Sequence, residues 1–338
     1  MPGVLTQTTP FKTITVKELH PTFGAEVSGV DFENSTDEQF DEIVAAMAKY
    51  GFCVFRSTPL TDATHVSFSR RFGSLDNIAR FLTPGRALRY EHLELFDASN
   101  LDTSGAILPA NSPRAHSSRG NRLFHTDSSF NPRRASFSLL RAVELPPPET
   151  GGNTDFADSR TAWDRLPDDM KAELLRDDWT GAFSMAHSRK LGSPEFFADM
   201  DPVEAAPMAR HKIVQVHEAS GRVGLYVGAH LHHLEGEGMS AERSKALVEF
   251  LNAWCQRKEF VVSVKWEREG DLVIWDNRAV LHRAGEWSGD GVFRRDMRRT
   301  TVHDDGERAW GENVVDTEMP NINAWIAKKA AVGEVKVA

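Results

Sequence analysis

The stretch RLFHTDSSF, residues 122–130, sets a histidine and an aspartate two positions apart between apolar neighbours. In an extended segment, residues i and i+2 face the same side, so His125 and Asp127 project together. Such a pair can be a structural hydrogen bond, a hydrolytic dyad or two corners of a metal site. The third possibility needs another ligand. Two histidines and one carboxylate on one face of an octahedron leave three positions open for substrate and oxygen. The strongest candidate for the missing histidine is His282, in GDLVIWDNRAVLHR. There an apolar strand, 272–275, passes through the polar turn Asp276-Asn277-Arg278 into Val280-Leu281-His282. Further on stands Arg295, whose planar guanidinium suits a carboxylate gripped at two points.

The elements that must position these groups are mostly strands. The opening TITVKELHPTFGAEVSGVDF alternates short β-rich runs with glycines. STDEQFDEIVAAMAKYG then reads as a helix: Phe40, Ile43, Val44 and Met47 recur at helical spacing, Ser35 or Thr36 caps the start and Gly51 closes the end. FCVFR reads as a buried strand. SFSLLRAVEL, HKIVQVHE, VGLYVG, FVVSVKW, DLVIWD and RRDMRRTTVH continue the series. Helices interrupt it near 161–176 and at about 241–256, the second with Leu247, Phe250, Leu251 and Trp254 on one stripe. Many short strands with a few helices predict a mainly β fold with helical insertions, a sandwich or jelly roll, in one domain spanning 1–338. Residues 77–120 lack a period and contain Pro84, Pro109 and Pro113. A long irregular segment of that kind predicts an active-site lid.

Composition narrows the partners. The chain has 338 residues and a net charge of −9, from 40 basic against 49 acidic side chains. Nucleic acid and anionic membranes both demand a basic face, so neither is expected as the main partner. The first residues show no charged start followed by an apolar run, and no apolar stretch is long enough to span a bilayer. Cys53 and Cys255, both in apolar surroundings, read as buried free thiols of a reducing compartment, and the cytoplasm is the expected location.

Five ordered motifs give the chain a family likeness: GNRLFHTDSSF, ETGGNTDFAD, VGAHLHHLEG, GDLVIWDNRAVLHR and RRDMRRTTVHDD. Over residues 14–304 it resembles the taurine dioxygenase and 2,4-dichlorophenoxyacetate dioxygenase family of iron(II)- and 2-oxoglutarate-dependent oxygenases. The resemblance implies a double-stranded β-helix, a cupin-like jelly roll. It implies His125, Asp127 and His282 as iron ligands, and Thr154 and Arg295 as contacts to the distal carboxylate of 2-oxoglutarate. Arg299 would hold the acidic group of the primary substrate, with Asn121 nearby. In a strand, Arg295 and Arg299 share one face and Arg294 and Arg298 the other.

The implied cofactors are Fe(II), 2-oxoglutarate and O2. Oxidative decarboxylation of 2-oxoglutarate to succinate and CO2 would drive hydrogen abstraction from a small carboxylate or sulfonate, such as an aryloxyalkanoate. Retention of Asp127 argues against halogenation, which needs that position empty for chloride. Desaturation or cyclisation of an amino acid or natural-product intermediate is an alternative on the same site. A zinc hydrolase using the three ligands and a non-catalytic cupin that binds a small acid are more distant ones. Relatives are often dimers or tetramers, so a homo-oligomer is expected. His230, His232 and His233 are expected to make structural hydrogen bonds, the tryptophans to be core or interface residues, and Arg80, His116 and Arg119 to contribute to the lid. His187 and His217 have no partner legible in the sequence.

Overall fold

The structure, a computed structural model, describes residues 11–81 and 88–317, without the side chains of Arg80 and Phe81. Pro84 and Arg80's expected contribution to a lid therefore lie outside what is described. The chain opens with β1 (Thr15–Glu18), β2 (Ala25–Ser28), α1 (Asp37–Tyr50), β3 (Phe52–Phe55) and α2 (Asp62–Ser69). Next come β4 (Phe96–Asp97), α3 (Pro113–Ser118), β5 (Ala135–Glu144), β6 (Thr154–Asp158), α4 (Ser159–Arg165) and α5 (Asp168–Asp177). Then follow β7 (Thr180–Phe183), α6 (Met185–Gly192), β8 (Ala209–Lys212), β9 (Val214–His217), β10 (Arg222–Leu225) and β11 (Leu231–Glu235). The last elements are α7 (Ala241–Cys255), β12 (Val261–Val264), β13 (Leu272–Asp276), β14 (Val280–Ala284) and β15 (Asp296–His303).

Seven strands form the larger sheet in the order β1-β2-β3-β13-β5-β15-β4, antiparallel except where β2 runs parallel to β3. A smaller antiparallel sheet, β12-β6-β14, packs against it. The two-residue period of a strand explains the packing. On β13, Val273 and Trp275 face the smaller sheet and meet Phe156, Val264 and Val280. Leu272 and Ile274 face the other way, onto Ile43, Met47 and Tyr50 of α1. β3 alternates in the same way, so both strands read as continuous apolar runs because both faces are covered. Behind the smaller sheet, Ala157 and Leu281 pack on a third core with α4, α7, β7 and β11. This is the jelly roll expected from the strand pattern.

Local chemistry sets the helix ends. The Thr36 side chain accepts from the Gln39 amide, and Gly51, at φ 75°, ends α1 in the left-handed region. The single helix expected near 161–176 is two, because Pro167 forces the residue before it out of the helix: Leu166 has ψ 142°. HKIVQVHE is two strands hinged at Ile213. The apolar stripe of α7 lies one position away from the expected one. Leu247, Val248, Leu251 and Cys255 are buried, whereas Phe250 is 38% exposed. Both cysteines are buried free thiols, in different cores. No helix among the described residues is long and apolar enough to cross a membrane.

Candidate metal and cosubstrate site

His282 sits in the middle of β14. His125 lies in the irregular chain beside it, and the two residues exchange backbone hydrogen bonds: His125 N donates to His282 O at 3.0 Å and His282 N to His125 O at 2.8 Å. That bridge makes neighbours of side chains far apart in sequence, with ring centroids 4.3 Å apart. Asp127 completes the group. Its Oδ1 is 3.9 Å from His125 Nε2 and its Oδ2 3.7 Å from His282 Nε2, and all three residues are buried. Among the described residues this is the one cluster whose donor atoms lie close enough together to share a metal ion. Gly228 makes room for it. At φ +124°, a Cβ there would stand 2.9 Å from His125 Cα.

The ligand orientations are fixed from outside the cluster. His125 Nδ1 lies 2.8 Å from the Leu123 carbonyl, which assigns the proton to Nδ1 and leaves the Nε2 lone pair facing Asp127. Asp127 Oδ2 accepts from Ser138 Oγ at 2.8 Å and Oδ1 from Arg299 Nη1 at 2.6 Å. The Asp127 amide donates to Asn277 Oδ1 (2.9 Å), which also accepts from Trp275 Nε1 (3.0 Å). Burial alone would raise the Asp127 carboxyl pKa. The Arg299 guanidinium, helped by the hydrogen bond from Ser138, outweighs it and holds the group well below the usual carboxylate range. Burial pushes both imidazoles down, His282 the further, so they are neutral and able to ligate.

The cluster opens on a cavity of about 350 Å³. Its lining includes Thr154, at the start of β6, and Arg295, just before β15. Thr154 Oγ1 accepts from Trp266 Nε1 at 3.1 Å. Arg295 Nη2 donates to the Gly152 carbonyl at 3.1 Å, and among the described residues the guanidinium has no acid partner. Burial lowers its pKa to about 10. Arg299 and Asn121 line it too, so the cavity brings together all seven residues expected from the sequence. The alternation along the last strand also holds: Arg295, Met297, Arg299 and Thr301 line the cavity, while Arg294 turns out to Glu144 and Arg298 to Asp296 and Asp62.

Several side chains differ from expectation. His230 lies in the cavity wall, its ring centroid 5.4 Å from that of His125, because the turn before β11 folds back over the ligand. His232 and His233, on β11 itself, pair with Glu204 and Glu235 as structural groups. His116 stacks on Phe196 and, with Arg119, stays out of the cavity. His217 has a partner in Asp276, at 3.0 Å. Trp275 is core and also backs His282, and Trp287 lines the cavity. Arg189 of α6 was not anticipated. It lines the cavity and donates to Asn121 Oδ1 at 3.0 Å. Nothing in its local sequence, MAHSRKLG, separates it from an ordinary surface arginine.

Two neutral imidazoles and one carboxylate, meeting at the floor of a cavity and leaving its interior free, suit a divalent metal that must also accept exogenous ligands. Residues 15–301 match the profile of the taurine catabolism dioxygenase TauD, TfdA family. The chain is 36% identical over 299 residues to the alpha-ketoglutarate-dependent 2,4-dichlorophenoxyacetate dioxygenase of Cupriavidus pinatubonensis, covering 86% of this chain and 98% of that one. It is 31% identical over 280 residues to the (S)-phenoxypropionate/alpha-ketoglutarate-dioxygenase of Sphingobium herbicidovorans, covering 80% and 89%. Its fold is similar to the crystal structure of AAD-2 in complex with Mn(II) and N-oxalylglycine, at TM-score 0.77 and 35% identity over 86% of this chain and 98% of that one. On this sequence, fold and donor set, the chain belongs to the TauD, TfdA family of dioxygenases.

Proposed function

We propose that the protein is an iron(II)- and 2-oxoglutarate-dependent dioxygenase that oxidises a C–H bond of a small carboxylate such as an aryloxyalkanoate, releasing succinate and CO2. His125, Asp127 and His282 would hold the iron, which when bound supplies the redox chemistry that couples O2 to both oxidations. The observation that carries this reading is Arg295. A guanidinium with no acid partner among the described residues, set in the wall of the cavity that holds the three candidate ligands, calls for an anion brought in from outside. Water activation by a zinc hydrolase does not itself require a second anion beside the metal, whereas a keto-acid cosubstrate brings one. The distal carboxylate of 2-oxoglutarate answers it, and Thr154 Oγ1 adds a hydroxyl to the same cavity.

The chain's own residues divide the remaining work. Arg299 would bind the substrate acid and orient it over the metal face, with Asn121 beside it. Ser138 and Asn277 hold Asp127 in place. Leu140, Phe130, Met185 and Trp287 give the cavity an apolar lining that suits an aromatic or alkyl body and excludes water. Part of the 77–120 segment lines the cavity mouth, in keeping with the expected lid of a single-domain enzyme. Buried free thiols fit a reducing cytoplasm. Assembly into a homo-oligomer belongs to the same reading and is checked by light scattering on a sizing column.

The deciding experiment loads the protein with iron(II) and 2-oxoglutarate without air and looks for the visible charge-transfer band of the chelate. Oxygen is then admitted and succinate measured across a panel of small acids. Fully iron-loaded protein that shows no band overturns the reading.

A further inference from the structure

The substrate half of the cavity holds one cation more than a simple acid needs. Arg189 reaches it from α6, an element that carries no metal ligand or cosubstrate contact. Its seat is built. Gly120 lies directly beneath the guanidinium, where a Cβ would come within 2.4 Å of Nη1, and Gly192 packs its own backbone against Gly120. Nη1 donates to Asn121 Oδ1 at 3.0 Å. Nε is shielded from solvent and has no partner. Burial, with Arg299 close by, lowers the Arg189 pKa to about 10.

Other arginines around this cavity are answered by acids: Arg89 by Asp296, Arg114 by Asp97 and Arg122 by Asp290. Arg189, like Arg295, has no acid partner among the described residues. Charge counting on the proposed reading then separates the two. A divalent metal, Asp127, doubly charged 2-oxoglutarate and Arg295 sum to zero. Arg299 is left over once Asp127 serves the metal, and Arg189 is left over in any case. Two positive charges in a partly dehydrated cavity call for two negative ones.

We propose that the substrate is an organic diacid, with one acidic group held by Arg299 and the second by Arg189, Asn121 serving to aim Arg189. This rests on the dioxygenase reading and narrows its substrate class. A monoacid brings one negative charge to the two guanidiniums and leaves one positive charge of the pair unanswered, even where its carboxylate bridges Arg299 and Arg189.

The test compares phenoxyacetate with 2-, 3- and 4-carboxyphenoxyacetate on wild type, Arg189→Met and Arg189→Lys. Binding is read without air, by the shift of the iron–2-oxoglutarate band and by calorimetry with Mn(II) in place of iron. Turnover is then read as succinate. At least one carboxyphenoxyacetate is expected to bind wild type about tenfold or more tightly than phenoxyacetate, the scale of one charge-assisted contact. Arg189→Met brings that ratio towards one, and Arg189→Lys restores part of it. A wild type that favours no diacid overturns the proposal. So does an Arg189→Met protein that weakens diacid and monoacid equally, since that marks a structural role. A missing chelate band with the diacid preference intact in calorimetry overturns the oxygenase reading instead.

Discussion

Arg299 Nη1 lies 2.6 Å from Asp127 Oδ1, which joins the group expected to hold the substrate acid to the group expected to hold the metal. A single ion pair thus links the two halves of the site. A metal that took the charge of this carboxylate would leave the guanidinium charge to be answered by another anion.

Arg299→Ala should therefore separate the two roles. Loss of a buried charge-assisted contact lowers kcat/KM for a carboxylate substrate by about 10²–10³-fold. Removing a neighbouring cation leaves metal binding intact or tighter. Chelator competition and steady-state succinate release check both halves. Loss of the metal in this variant would show that Arg299 organises the ligands rather than the substrate.

Arg295→Ala should raise the 2-oxoglutarate concentration needed to form the chelate by about 10²-fold, the scale of one lost bidentate ion pair. Arg295→Lys, which keeps the charge and loses the fork, should fall between. An anaerobic titration of the visible band measures it. Unchanged half-saturation in the alanine variant would remove Arg295 from the cosubstrate site.

Asn277 is expected to act through Asp127. Its Oδ1 accepts from the Asp127 amide, and its Nδ2 donates to Ser138 Oγ at 3.0 Å, the hydroxyl that in turn donates to Asp127 Oδ2. Asn277→Ala should weaken iron affinity by about 10–100-fold, as losses of such supporting contacts do. Ser138→Ala removes one arm only and should cost less. The same chelator competition ranks the two variants, and the reverse order contradicts this account.

His65 supplies a pH test away from the metal. It is fully buried on α2, near Arg141 and Arg298, with Nε2 3.3 Å from Thr300 Oγ1. Burial and then the Arg141 charge push its pKa down to about 3 from 6.5. The folded protein keeps this imidazole neutral, whereas the unfolded chain protonates it near pH 6.5. Its contribution is complete above pH 6.5 and is lost as pH falls towards about 3. The loss is at most about 1.4 kcal/mol per pH unit, the slope for one proton. Urea midpoints of metal-free wild type and His65→Asn between pH 7.5 and 4 should show the shallower slope in the variant, and equal slopes would contradict it.

Which side chains share a face was legible from local order: the His-x-Asp pair, the buried strand running to His282 and the two-residue alternation from Arg295 to Arg299 follow from short-range periodicity, whereas the roles given to them came from the family motifs. Boundaries set by one strong residue were partly legible: Gly51 closes α1 as its sequence predicts, while Pro167 splits the segment that its pattern predicts as one helix. Tertiary return was not legible. His230 meets His125 only because a turn folds back, and Arg189 enters the cavity only because two glycines let α6 lie against residues 119–122. His65 gives no sign in the sequence of sitting near two arginines.

The pairing of β6 with β14 sets Thr154 opposite Ala284 and Phe156 opposite His282, so one ladder carries both a residue proposed to hold the metal and one proposed to touch the cosubstrate. A one-residue slip there would turn both inward groups to the wrong face at once. Arg189, on α6, and Asn121, in the turn at 119–122, lie outside that ladder, so a change in either segment can reshape this part of the cavity without disturbing the register that aligns Thr154 with His282.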